Sequence, residues 1–422
     1  MLRVVTESGP NGLDLNDVLL RVEKAAPVDG VTAVTRGIGA SLGAVWVSFL
    51  VADMSGRALV RLVHVPMGDV PGARRQDDDV ALVLPFDDGP QERALRAQRV
   101  LVEEVDQQFV IRAPVTQRGE AIGLLEIALA EAPSEEAVRQ VSQAAHTLAF
   151  VVIANRRHTD LFEWGQRTTP FTLAAEIQRR LLPPSFTCEA DSFTLAAWLE
   201  PAASIGGDTF DYSLARDLLH LSITDAVGHG VHSALTATLC VSGLRNARRR
   251  GASLVEQAQA ANEALLDNAE DRSAFVTGIL GRLDLRTGLL ALINAGHPTP
   301  VLVRDGTAQF VALPVNRPLG LLRDKPFRPT ELALQPGDRL VMLTDGMLER
   351  DAAALDLPTH LEQLGALHPR ELVRVLGDLV LEVAAPTGAL PDDACLLVLD
   401  WHGGHGDTRR TEAGADRDRA TG

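Results

Sequence analysis

Cysteine is scarce: Cys188, Cys240 and Cys395 are the only three in 422 residues, an odd number set far apart. They form neither a zinc spacing nor a disulfide framework, so a protein of a reducing cytoplasm is expected. Long apolar runs are also lacking. The longest, TLAFVVIA at 147–154, is too short to span a bilayer, and the opening MLRVVTESGPNG has no apolar core, so no signal peptide and no membrane partner are expected. Basic charge is in deficit. The net charge of −16 argues against a nucleic-acid partner, which would need clustered Lys and Arg. The one basic run, RNARRR at 245–250, closes a helical pattern and reads as a helix C-terminus, where cations complement the dipole.

Apolar residues, by contrast, make up 46% of the chain, enough for two cores and a linker. After an N-terminal extension (1–14), LNDVLLRVEKAA (15–26) has a helical period. GAVWVSFLVADM (43–54) and RALVRLVHV (57–65) then alternate as strands. QQFVIRAPVTQ (107–117) and EAIGLLEIALA (120–130) flank Arg118-Gly119, a hairpin signal. Ser134 is placed to cap a helix along which Val138, Val141, Ala145, Leu148 and Val152 recur as a coiled-coil-like seam. Residues 156–185 read as a linker carrying the amphipathic stretch FTLAAEIQRRLLPPS, stopped by its double proline. From 186 to 402 two helical patterns (232–249 and 253–268) lie among several strand patterns. One further helix is expected over 359–383 and a last strand over 392–401. Helices grouped between runs of strands predict an α+β fold. The tail 403–422 is charged and Gly-rich and is expected to lack structure.

Four aspartates share a setting. Asp208 in GGDTFDY, Asp225 in LSITDAVGHG, Asp345 in VMLTDGM and Asp392 in PDDACLLVLD each sit at a strand end beside glycine or another acid. Small neighbours let carbonyls and water approach, and converging carboxylates repel one another unless a cation neutralises them. Hard oxygen ligands without His or Cys select Mg²⁺ or Mn²⁺ over zinc.

IGGDTFDY, ITDAVGHGVHSAL, NAGHPTPVLV, LQPGDRLVMLTDGMLE and DDACLLVL resemble the successive motifs of the SpoIIE-like branch of PPM phosphatases, the metal-dependent protein phosphatase 2C superfamily, over about 195–400. The resemblance implies an α-β-β-α sandwich holding two Mn²⁺ or Mg²⁺ ions. Asp225 would bridge both ions and the Ala226 carbonyl would bind one. Asp208 would serve the second ion mostly through water, and Asp345 and Asp392 would hold the first. Asp393 is the neighbouring alternative to Asp392. Two metals about 3.5–4 Å apart lower the pKa of a bridging water and clamp phosphoryl oxygens for in-line attack. No covalent nucleophile is then required, which fits the absence of a Cys-x5-Arg loop or a Ser/His/Asp pattern. Cys395 stands where the family has threonine and is expected to pack in a strand. Asp211 also follows the family pattern and is expected to be structural or to support the ligands from behind; His229 and His297 lie in family motifs and are expected to be structural.

The pattern over 15–155, with FVIRAPVTQRGEAIGLLEIAL, resembles a GAF-type sensory domain, a six-stranded sheet with helices on one face. It contains no cysteine for a covalent bilin, and either a small-molecule ligand or simple pairing would suit it. Dimer contacts along 136–182 are expected to set the packing of the helix before the phosphatase core. The reading is a cytoplasmic Mn²⁺/Mg²⁺-dependent serine/threonine phosphatase, with Asp225 and Asp345 at its catalytic centre. The family implies a phosphorylated anti-anti-sigma (STAS-type) protein as substrate. The alternatives are a pseudophosphatase that binds without turnover and a hydrolase of another phosphoester.

Overall fold

A computed structural model describes residues 15–68, 82–168, 171–200, 206–268, 274–323, 325–348, 356–384, 390, 392–404 and 411–416. The chain divides into two compact units, Met1–Pro170 together with Arg410–Thr421, and Phe171–Arg409.

The first unit runs α1 (Leu15–Lys24), α2 (Gly30–Leu42), β1 (Trp46–Ala52), β2 (Ala58–Pro66), β3 (Leu82–Pro85), α3 (Pro90–Ala97), β4 (Leu101–Val105), β5 (Gln108–Gln117), β6 (Glu120–Leu129), α4 (Glu135–Asn155) and α5 (Leu161–Gly165). Its six strands form one sheet in the order β3-β2-β1-β6-β5-β4. The hairpin foreseen at Arg118-Gly119 joins β5 to β6, with both residues at positive φ. Ser134 caps α4 by accepting from the Ala137 N–H. On one face Val34 and Ile38 of α2 and Val141, Ala145, Leu148 and Val152 of α4 bury against Phe49, Ile111, Leu125 and Ile127. The helices do not all share that face: Ala94 and Leu95 of α3 pack with Leu50, Leu59 and Leu124 on the other, because β1, β2 and β6 are apolar on both sides.

Two expectations change here. The seam read along 138–152 is internal: its residues are core of this unit, apart from the half-buried Val138, so it offers no continuous surface for the expected dimer contacts. Within the stretch read as a linker, Phe162 is also core of this unit. The tail differs as well. Thr411–Glu412 (β19) and Ala415–Asp416 (β20) pair as a hairpin whose Gly414 carbonyl accepts from the Gly119 N–H. Ala415 and Asp416 are buried, so a segment poor in large apolar residues is ordered by backbone pairing and packing.

The second unit begins with α6 (Leu173–Leu181), followed by β7 (Thr187–Glu189), β8 (Phe193–Glu200), β9 (Asp208–Leu214), β10 (Leu218–Ala226), α7 (Gly230–Arg249) and α8 (Leu254–Asn268). Next come β11 (Val276–Asp284), β12 (Leu289–Ala295), β13 (Val301–Arg304), β14 (Thr307–Phe310), β15 (Val315–Asn316), β16 (Thr330–Ala333) and β17 (Arg339–Leu343). A 3₁₀ turn (Asp345–Met347), α9 (Leu357–Gln363), α10 (Pro369–Ala384) and β18 (Ala394–Trp401) complete it. One sheet has the order β15-β12-β11-β10-β9, with β16 beside β12, and the other β14-β13-β17-β18-β8-β7. Their inner faces meet through Phe193, Phe210, Ile223, Ile279, Leu340, Leu397 and Trp401. Cys240, Leu244 and Leu265 of α7 and α8 cover the outside of the first sheet. Leu361, Leu372 and Leu376 of α9 and α10 cover the second. This is the α-β-β-α sandwich of an α+β protein. The single helix expected over 359–383 is two helices, broken where Gly365 and Pro369 disfavour continuation.

Candidate active site

The acid cluster is built by strand pairing. β9 and β10 are antiparallel, in a register that sets Asp208 directly opposite Asp225. Like charges facing each other across a sheet are destabilising. On its other side Asp225 faces Thr277 of β11. Asp345 begins the 3₁₀ turn after β17, and Asp392 and Asp393 lead into β18. The two sheets are pinned together here: the Thr344 hydroxyl donates to Asp208 Oδ2 at 2.6 Å and accepts the Cys395 N–H at 3.0 Å.

Electrostatics show how close these groups stand. Burial, Asp225 and Asp393 drive the Asp208 carboxyl well above the usual range, against the Thr344 hydrogen bond and with a smaller push from Asp392. Burial, then Asp345, Asp392 and Asp393, raises Asp225 to about 7, while its hydrogen bond with Asp208 acts in the opposite sense. The cluster therefore holds protons that isolated carboxylates would release. Among the described residues, no three His, Cys, Asp or Glu side chains close up into a metal-ligating group. The carboxylates lie within electrostatic reach of one another and lean on protein donors instead.

Asp392 and Asp393 differ in kind. Asp393 is buried, and its Oδ2 accepts from Gln178 Nε2 at 2.8 Å and from the Gly207 and Asp208 N–H groups at 3.1 and 3.3 Å. Asp392 is exposed at the rim, with Oδ1 accepting from the Asp393 N–H. The neighbouring pair thus separates into a frame residue and an available carboxylate.

Two glycines make room. A Cβ on Gly207 would lie 2.6 Å from the Ala226 carbonyl oxygen and 3.4 Å from Asp225 Oδ1, so the missing side chain leaves open the space bounded by two oxygen donors. A Cβ on Gly346 would overlap the Asp393 carbonyl oxygen. Since that obstacle is backbone, Gly346→Ala is expected to destabilise the second unit by about 2–4 kcal/mol, read as a lowered midpoint in thermal unfolding. An unchanged midpoint would show that the 3₁₀ turn yields.

The remaining motif residues fall into place. Asp211 is buried and ion-paired with Arg245 at 2.8 Å and Arg248 at 2.9 Å, so it anchors α7 and accounts for two arginines of the basic run. His229 is exposed at the N-cap of α7. Cys395 is fully buried, its thiol pushed up chiefly by burial, in keeping with packing. His297 is buried beside Thr277.

Gln178 was not foreseen. It lies on the buried stripe of α6 with Ala174, Ala175 and Leu181, and its Nε2 also donates to the Asp208 carbonyl at 2.8 Å. A glutamine on an apolar stripe was the available signal, since such an amide needs buried partners. Thr344, directly before Asp345, was likewise passed over.

Residues 215–402 match the family Stage II sporulation protein E (SpoIIE). Phosphoserine phosphatase RsbP of Bacillus subtilis (strain 168) is 23% identical over 235 residues, covering 54% of this chain and 57% of RsbP. The chain therefore spans a little over half the length of that relative. Among solved structures, the RsbU and RsbW domains of Rv1364c from Mycobacterium tuberculosis are 29% identical, with a TM-score of 0.45, over 51% of this chain and 63% of that one. The catalytic domain of the serine/threonine protein phosphatase PstP, solved in complex with two manganese ions, is 18% identical, with a TM-score of 0.39, over 50% and 98%.

Proposed function

We propose that the chain is a divalent-metal-dependent protein serine/threonine phosphatase. The observation that carries this reading is the Asp208–Asp225 pair, set face to face in a register that only a cation or a shared proton can neutralise. The ligands proposed for it are carboxylate and carbonyl oxygens, which suit Mn²⁺ or Mg²⁺. Asp208, Asp225, the Ala226 carbonyl, Asp345 and Asp392 would hold the metal. Gln178, Thr344 and Asp393 would hold these ligands in place from behind. Such ions, when bound, supply Lewis acidity toward water and the phosphoryl oxygens. The protein's own part is to fix the carboxylates, keep the Gly207 side of the site open and admit a phosphate at the rim where Asp392 is exposed.

Gly207→Ala tests the cradle. The added methyl crowds Ala226 O and is expected to lower Mn²⁺ affinity about tenfold or more, measured by calorimetric titration, and, since that obstacle is backbone, to lower the unfolding midpoint as well. Unaltered affinity would remove the Ala226 carbonyl from the ligand set.

For substrate, the reading favours phosphoserine or phosphothreonine on a small STAS-type anti-anti-sigma protein. The discriminating assay compares phosphate release from such a phosphoprotein and from a nucleoside monophosphate. Preference for the nucleotide would move the chain to another phosphoesterase, and binding of the phosphoprotein without release would make it a pseudophosphatase. The first unit, read as GAF-like, would regulate the second and pair with its copy in a homodimer. Equal activity of the full chain and a 171–409 fragment at matched metal would remove the regulatory part, and a monomer by sedimentation velocity would remove the pairing. Among the described residues, no helix is long and apolar enough to cross a membrane.

A further inference from the structure

His297 falls in a motif for which the proposed chemistry has no use, yet its surroundings are specific. It is 5% exposed and lies between β12 of one sheet and β13 of the other. Its backbone is clamped by the buried Asn294, which accepts the His297 N–H at 2.8 Å and donates to the His297 carbonyl at 2.9 Å. On one side of the ring, Nδ1 lies 2.8 Å from the Thr277 hydroxyl, and Thr277 is the residue paired with Asp225 across β10 and β11. On the other side, Nε2 is buried without a hydrogen bond of normal geometry. The Leu343 backbone is the neighbour that favours its proton, against a larger effect of burial that keeps the ring neutral. Leu343 ends β17, and the next two residues are Thr344, bonded to Asp208, and Asp345. With Nδ1 accepting from the Thr277 hydroxyl, the ring carries its hydrogen on the buried Nε2.

We infer that His297 is a positioning residue for the metal site. It spans the gap between the strand behind Asp225 and the strand end that presents Asp345, and so sets the separation of carboxylates contributed by the two sheets. A neutral imidazole suits this task, because it offers one acceptor and one donor along a fixed axis without adding charge behind the acids. The same geometry makes Thr277 its working partner. This inference rests on the metal-dependent reading above.

The test is calorimetric Mn²⁺ titration of the full chain as wild type, His297→Ala, His297→Gln and Thr277→Val, with thermal unfolding of each metal-free protein alongside. His297→Ala is expected to weaken Mn²⁺ binding about 10–100-fold and to raise the Mn²⁺ needed for half-maximal turnover by the same factor. Turnover at saturating Mn²⁺ should stay within a few-fold of wild type. Gln keeps a donor and an acceptor and should recover part of the affinity. Thr277→Val, a smaller change should the alanine variant not fold, should weaken binding in the same direction. Mn²⁺ affinity unchanged in folded His297→Ala or in Thr277→Val, beside a wild type that binds, would overturn the inference alone. Wild type that binds no Mn²⁺ would overturn the phosphatase reading and this inference with it.

Discussion

Asp225→Asn is expected to abolish metal-dependent turnover, by about 10³-fold or more, while making the metal-free protein more stable. Both effects come from one geometry. Asp225 ends β10 opposite Asp208 and within electrostatic reach of Asp345, Asp392 and Asp393. Asparagine keeps the shape and removes the charge on which the other four act. The fold then loses a repulsion and the site loses the carboxylate proposed to hold the metal. Thermal unfolding without metal should show a higher midpoint for the variant, and phosphate release with Mn²⁺ should fall to background. A variant that is both less stable and active would mean that Asp225 has a packing role and that the charge is incidental.

The second large effect is on stability against pH and metal. Asp225 titrates near 7 in the fold, and Asp208 is also raised, so the folded cluster holds protons that the unfolded chain releases near pH 4. Folded pKa values above unfolded ones give stability that is present below about pH 4 and lost as pH rises through 7. Three buried or half-buried histidines act in the opposite direction. His220 and His297 are lowered to about 4 and His368 to about 3, in each case chiefly by burial. Their share is present above pH 6.5 and lost as pH falls toward 4. The metal-free protein should therefore be most stable in mildly acidic solution. Mn²⁺ takes the place of the protons on the carboxylates and should lift the alkaline side: a rise in unfolding midpoint on the order of 5–10 °C at pH 8, and much less at pH 5.5. A shift of equal size at both pH values would place the metal elsewhere.

The helical and strand periods of 186–402 made an α+β fold legible, while the sandwich followed only from the family resemblance. The four aspartates could be singled out because each stood at the end of an apolar strand. What escaped was whatever depended on partners distant in the chain. The cross-strand pairing of Asp208 with Asp225 is a matter of register, which no local pattern states. Gln178 lies 215 residues from Asp393, and its stripe is otherwise that of an ordinary amphipathic helix. Helix α2 was missed because GVTAVTRGIGASL is rich in glycine and β-branched residues, and it is helical through burial more than propensity. The apolar stripe of α4 was legible, but the surface it covers was not, since an internal sheet and a second copy of the chain demand the same spacing. The hairpin at 411–416 had no apolar signal at all.

The central claim is that the paired carboxylates of β9 and β10 serve a divalent ion used to remove phosphate from serine or threonine. Phosphate release from a phosphoserine substrate by chelator-stripped protein, followed through a Mn²⁺ titration, tests it most directly. The account predicts no release without metal and saturable release as Mn²⁺ is added. Release that persists in excess chelator, or none at saturating Mn²⁺ from either the full chain or the 171–409 fragment, would contradict it.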